Sequence, residues 1–215
     1  MDAEPARCCF DDWVDHWSKQ IAKNETVAGV TAPLLEALEG VGLRGRTVLD
    51  IGCGIGDLLL AALDRGAAQA TGFDLSPKAI EEARRLAQGR GLAERAMFDV
   101  GDGSQVELPD ADVVVLNRVI CCYPNADALL ERSLAAAGDV YAFTAPVSKG
   151  LLGWGNRAWS KTGNAWFRLR AKRYAGFQTF IHDLERVDER VRAAGFRRVH
   201  RERRRVAWQL AVYSR

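Results

Sequence analysis

From residue 46 onward, short runs of consecutive apolar residues alternate with segments whose apolar positions fall three and four apart. The runs RTVLDI (46–51), AQATGFDL (68–75), AMFDV (96–100), DADVVVLN (110–117) and DVYAFTA (139–145) predict strands, because a strand covered on both faces is apolar at successive positions. Between them GDLLLAALDRG (56–66), SPKAIEEARRLAQGRG (76–91) and NADALLERSLAAAG (125–138) predict amphipathic helices. Gly66 ends the first, Ser76 caps the second with Pro77 in its opening turn, and Asn125 is the expected N-cap of the third. Ahead of the strands, residues 11–43 read as one or two helices interrupted near Pro33. After them, HDLERVDERVRAAGF (182–196) is a helix with Leu184, Val187 and Val191 on one side. RRVHRERRR (197–205) and VAWQLAVYS (206–214) predict an antiparallel hairpin whose first strand is charged enough for a sheet edge.

The order predicts one α/β domain over residues 1–215: a seven-stranded open sheet, mostly parallel, with a C-terminal antiparallel hairpin and helices on both faces. Within it, 1–44 form a helical cover, 45–143 a ligand-binding core, 144–180 an insertion and 181–215 the last helix and hairpin. The insertion breaks the alternation. It holds Trp154, Trp159 and Trp166, half the tryptophans, among glycines and basic residues, and is expected to cover a site.

Composition narrows the class. A chain 48% hydrophobic and 27% charged is an ordinary globular one. No apolar run reaches the ~18 to 20 residues of a membrane span, and MDAEPARCCF lacks the layout of a signal peptide, so the cytoplasm is the expected location. Of five cysteines, four form the adjacent pairs Cys8–Cys9 and Cys121–Cys122, a poor disulfide framework. With no CxxC and with His16, His182 and His200 scattered, no metal is expected. Net charge is only +2, yet residues 145–215 carry 17 Lys and Arg against 5 Asp and Glu, and residues 1–144 carry 13 against 23. Either one part meets a cationic ligand and the other an anionic one, or both are simply solvated faces.

The candidate chemistry begins at VLDIGCGIGD (48–57). Ligands of open parallel sheets bind beyond the carboxyl ends of the strands. There Gly52 and Gly54 can admit a ligand to the main chain, and Gly56 can let the helix pack on the strand. Asp50 and Asp57 flank the turn, repelling a pyrophosphate and welcoming ammonium or sulfonium groups. Asp74, ending GFDLS, can accept from both hydroxyls of a ribose; Asp102, in VGDGSQ, can accept from an adenine amine.

VLDIGCGIGD, GFDLS, GDG and DADVVVLNRVICCYPN together resemble the successive motifs of the class I S-adenosylmethionine-dependent methyltransferases, over residues 45–143. The resemblance implies a Rossmann-like sheet and S-adenosylmethionine as cofactor. It places Asp50, Gly52, Cys53, Gly54 and Gly56 at the turn, with Gly52 and Asn117 meeting the methionine end through their main chains and Arg118 beside them. Asp74 would hold the ribose, with Leu75 and Ser76 after it and Leu75 pressing on adenine; Asp102 would take the adenine amine with Gly103 beside it. RVICCYP and the basic hairpin closing on WQLAVYSR are similar to the magnesium-protoporphyrin O-methyltransferases and nearby small-molecule enzymes. The porphyrin itself is not carried over, and the tryptophan-rich segment 150–167 matches no motif of that family.

Methyl transfer from a sulfonium is an in-line displacement that needs alignment and dryness, and a base only where the acceptor must lose a proton. Cys121, Cys122 and Tyr123 follow the fourth strand; they floor the acceptor pocket, with Tyr123 bonding the acceptor, or a cysteine merely packs on the sheet. His182 is the candidate base, the alternative being an exposed histidine at a helix start. Trp154 and Arg173 are placed in the substrate pocket. Arg168, Arg170, Lys172 and Arg173 either recognise an acidic substrate or form a solvated helix face. Trp13 and Trp17, four apart, cover the cofactor or pack on the sheet. The function expected is methyl transfer to oxygen or nitrogen of a small, anionic or neutral, metabolite. The alternatives are an RNA methyltransferase using the basic C-terminal region and a non-catalytic S-adenosylmethionine-binding protein.

Overall fold

The computed structural model describes Val14 and residues 29–169, 177–204 and 207–215. The elements run α1 (Thr31–Gly40), β1 (Thr47–Ile51), α2 (Asp57–Asp64), β2 (Gln69–Asp74), α3 (Pro77–Gly89), β3 (Ala96–Val100), β4 (Ala111–Asn117), a 3-10 turn (Ile120–Cys122), α4 (Asp127–Ala135), β5 (Ala137–Pro146), α5 (Gly150–Leu169), α6 (Leu184–Ala193), β6 (Arg197–Arg204) and β7 (Trp208–Ser214). The seven strands form one sheet in the order β3-β2-β1-β4-β5-β7-β6. β1 to β5 are parallel; β7 runs antiparallel to both β5 and β6. The expected architecture is therefore present, with densely charged β6 at one edge.

Alternation along the central strands sorts their side chains into two cores. Val48, Val113, Val115, Val140 and Ala142 face Leu34, Leu38, Leu58, Leu59, Ile80 and Ala83 of α1, α2 and α3. Leu49, Ile51, Val114, Leu116, Tyr141 and Phe143 face Leu129 and Leu130 of α4 and Val187 and Val191 of α6. Both faces are covered, which is why β4 reads as an unbroken apolar run. At its amino end, Asp112 Oδ2 accepts from Thr47 N (2.7 Å) and Thr47 Oγ1 (2.9 Å), tying β4 to β1. That pairing holds the Asp112 carboxyl below its ordinary pKa.

Pro33 lies in the first turn of α1, where an N–H has no intrahelical partner to lose, and all but Val14 of residues 11–28 lie outside the described residues. Two local expectations change. Asn125 does not cap α4, which begins after Ala126; its Oδ1 accepts instead from Asp127 N at 2.9 Å. The irregular insertion contains the 20-residue helix α5. Ser76, by contrast, caps α3 as expected, accepting from Ala79 N at 3.0 Å. Val14 is buried against Ile55 and Ala79; Trp13 and Trp17 lie outside the described residues.

Candidate functional site

Beyond Ile51 the chain takes the left-handed conformation at every second residue: Gly52 (φ 75°), Gly54 (φ 56°) and Gly56 (φ 76°). The turn is latched to the end of β2. Gly52 N and Cys53 N both donate to Phe73 O (2.7 and 3.0 Å), and Gly54 N donates to Asp74 Oδ2 (2.8 Å). The three glycines differ in what surrounds them. A methyl group at Gly52 would overlap Val119, and one at Gly56 would meet Phe98 and Ala83, whereas Gly54 faces open space. Gly56 is thus the packing glycine, as expected, and Gly52 is a second one; of the three, Gly54 alone has an approach unobstructed by the described residues.

The acids stand around this opening. Asp50 is buried, and its Oδ1 has no hydrogen-bond partner among the described residues. Burial pushes its carboxyl well above the ordinary range, the neighbouring Asp57 and Asp74 push the same way, and Arg118 opposes them. Asp57 is likewise raised by burial, against the pull of Arg118. Arg118 is exposed and takes a left-handed φ of 65°, with its N–H donating to Thr144 O (3.2 Å) and Thr144 Oγ1 (2.9 Å). Asp74 Oδ1 accepts from Ser76 N (2.9 Å), so both of its oxygens are oriented by backbone. Leu75 is half-buried beside it, and Cys53 is buried with its thiol raised chiefly by that burial.

Across the crevice, Asp102 Oδ1 accepts from Ser104 N (2.9 Å), Ser104 Oγ (2.7 Å) and Tyr123 Oη (2.8 Å), and Oδ2 accepts from Gln105 Nε2 (3.0 Å). Gly103 is required there, since a side chain would overlap Ile51. Asn117, buried at the end of β4, donates through Nδ2 to Thr31 Oγ1 (2.9 Å) and accepts at Oδ1 from Thr144 Oγ1 (2.7 Å). Thr31 and Thr144 carried no signal in the sequence; they matter because three distant segments converge on one amide.

The acceptor side is organised by a strap, residues 177–183. Phe180 N donates to Cys121 O (2.8 Å), and His182 Nε2 lies 2.8 Å from Tyr123 O, to which it must donate because a carbonyl only accepts. Tyr123 and His182 are brought together, but not as an acid–base pair. The Tyr123 hydroxyl is committed to Asp102, and burial followed by the Asp102 charge raises its pKa far above neutrality. His182 is not the helix opener either; Asp183 caps α6. Cys121 is buried and Cys122 half-buried, both thiols donating to Arg118 O (3.4 and 3.6 Å). The Cys121 thiol and burial hold the Cys122 thiol well above its ordinary range, which disfavours a thiolate at Cys122. Trp154 does not line this pocket: it points to solvent from the outer face of α5. Arg173, Arg170 and Lys172 lie outside the described residues. A separate cleft of about 410 Å³ opens past β5, lined by Ser148, Lys149, Glu185, Arg201, Arg203 and Gln209.

An unpartnered buried carboxylate oxygen, an open left-handed glycine and two pre-oriented acceptors suit a ligand with a cationic end, vicinal hydroxyls and an amine-bearing ring. These are the parts of the adenosyl sulfonium donor that the motifs imply.

Residues 48–138 match the family model of a methyltransferase domain. The ribosomal protein L11 methyltransferase of Klebsiella pneumoniae subsp. pneumoniae is 43% identical over 123 residues, 57% of this chain and 38% of that protein. The chain spans only 29% to 38% of the length of such curated relatives. A crystal structure of magnesium protoporphyrin IX methyltransferase from Synechocystis PCC 6803, with bound SAH, superposes with a TM-score of 0.75 at 20% identity, covering 100% of both chains. That coverage takes in the tryptophan-rich segment which motifs left unmatched. A cyclase shares the fold at a TM-score of 0.65 and 19% identity, over 86% of this chain and 80% of that one. The match of residues 48–138 to a methyltransferase domain agrees with the motifs, and the chain has the fold of that methyltransferase structure.

Proposed function

We propose that this chain methylates an oxygen or nitrogen of a small metabolite, with S-adenosylmethionine as the donor. The observation that carries the reading is the buried Asp50 oxygen without a partner among the described residues, within the field of Asp57 and Asp74. S-adenosylmethionine, when bound, supplies an electrophilic methyl group on a sulfonium centre. Asp50 and Asp57 favour the cationic end, Asp74 accepts from the ribose, and Asp102 retains a lone pair on Oδ2 for the adenine amine. The strap covers the acceptor side and limits water there. Tyr123, whose hydroxyl is held by Asp102, and His182, which donates through Nε2 to Tyr123 O, position that cover.

The test has two stages. Calorimetry with S-adenosylhomocysteine should show binding that Asp74→Ala weakens at least about tenfold, the loss of hydrogen bonds to a charged acceptor. Transfer of labelled methyl to a panel of small carboxylates and amines should then give product. Labelling of RNA or of ribosomal protein instead would replace the small-metabolite assignment, and binding without any transfer would favour the non-catalytic reading.

A further inference from the structure

Helix α5 is inverted. Its inner face is small and polar: Asn156 Nδ2 donates to Val147 O (2.8 Å) and Ala207 O (3.1 Å), and Ser160 Oγ donates to Thr179 O (2.6 Å). Asn164 brackets Thr179, donating to its carbonyl and accepting from its N–H, each at 2.8 Å. Gly153 lies so close to Ser148 that a side chain would overlap the loop backbone. Leu152 and Phe167 are half-buried, Phe167 against Phe177, but the other large apolar residues face outward: Leu151 is 90% exposed, Trp154 73%, Trp159 80%, Trp166 40% and Leu169 87%. A helix docked on a soluble domain ordinarily turns its apolar stripe inward. A contiguous apolar patch of this kind marks an interaction surface.

Charge indicates the partner. At 100° per residue, Arg157, Lys161 and Arg168 fall in one row along the flank next to Trp154. α5 has no acidic residue, and between Asp139 and Asp183 the sequence holds seven Lys and Arg and no carboxylate. Tryptophan and leucine on one side with cations along the flank compose a helix that lies in the plane of a bilayer interface. The indoles sit at headgroup level and the cationic side chains reach the phosphates. A nucleic acid would leave the leucines in water. Among the described residues no helix is long and apolar enough to cross a membrane. We propose that the outer face of α5 is a docking surface for an anionic lipid bilayer, bound peripherally.

The experiment is flotation of the whole chain with vesicles of phosphatidylcholine alone and of equimolar phosphatidylcholine and phosphatidylglycerol. Binding should be at least about tenfold stronger on the anionic vesicles, at about fivefold per cation near the surface, and should weaken with salt. Trp154→Ala with Trp159→Ala should reduce flotation on both compositions. Arg157→Gln, Lys161→Gln and Arg168→Gln together should reduce it only on the anionic one. All five positions lie on the outer face or its flank, and circular dichroism should be unchanged. Absence of flotation on either vesicle, or flotation indifferent to the tryptophan pair, would overturn the proposal. So would light scattering that shows a dimer dispersed by the tryptophan pair, since the face would then be covered by a second copy.

Discussion

At Asp50, one side chain serves two opposed demands. Roughly nine in ten buried polar groups are satisfied by a partner, yet its Oδ1 has none among the described residues, and burial raises the carboxyl pKa well above the ordinary range. Asp50→Asn should stabilise the unliganded protein at pH 7 by about 1 to 3 kcal/mol in urea unfolding. The same variant should weaken S-adenosylhomocysteine at least about tenfold. An unfolded aspartate ionises near ~3.9 and folded Asp50 well above that, so folding takes up a proton in between. Its contribution to stability is complete below the unfolded pKa and is lost as pH rises through the folded one. Asp112 acts in the other direction: its lowered pKa contributes stability that disappears as pH falls through the folded value. Asn at position 50 should therefore flatten the alkaline side of the stability–pH profile, and Asn at position 112 the acid side. The glycines separate in the same assay. Gly54→Ala places a side chain in open space at a cost of about 1 to 2 kcal/mol for the left-handed backbone, and should fold yet lose ligand. Gly52→Ala adds the overlap with Val119 and should cost about 3 kcal/mol or more.

Among the elements, α5, the strap and the 3-10 turn form one hydrogen-bonded series: α5 to Thr179, Phe180 to Cys121, His182 to Tyr123, Tyr123 to Asp102. Because Tyr123 stays protonated throughout the accessible range, Tyr123→Phe should leave the alkaline limb of the rate–pH profile in place. It should instead weaken S-adenosylhomocysteine about threefold to tenfold, through the loss of one donor to the charged Asp102. The glycine turn, the acids at the strand ends and the alternation of strands and helices were legible because each is encoded within a few residues. Convergence was not. Asn117 depends on Thr31 and Thr144, and Tyr123 on His182, pairs far apart in sequence. The helix of the insertion was hidden because Gly153, Asn156, Ser160 and Asn164 provide its buried side, leaving no inward apolar periodicity to find. The start of α1 was hard to place because it carries no side-chain cap to mark it.

For the molecule as a whole, stability rests on the two cores. Leu59, fully buried behind the glycine turn, should cost about 2 to 5 kcal/mol when replaced by alanine. Leu151→Ala on α5 should leave the urea midpoint almost where it is, because that side chain is already in water. The sheet also has an order of completion. β7 is inserted between β5 and β6, although its residues come after both in the chain. On a translating ribosome, Tyr141 to Ala145 must therefore wait with their hydrogen-bonding edge bare until Trp208 to Ser214 emerge and slot in beside them. Until then the unpaired edge of β5 is a template for aggregation, and chaperone capture of it matters most in that interval.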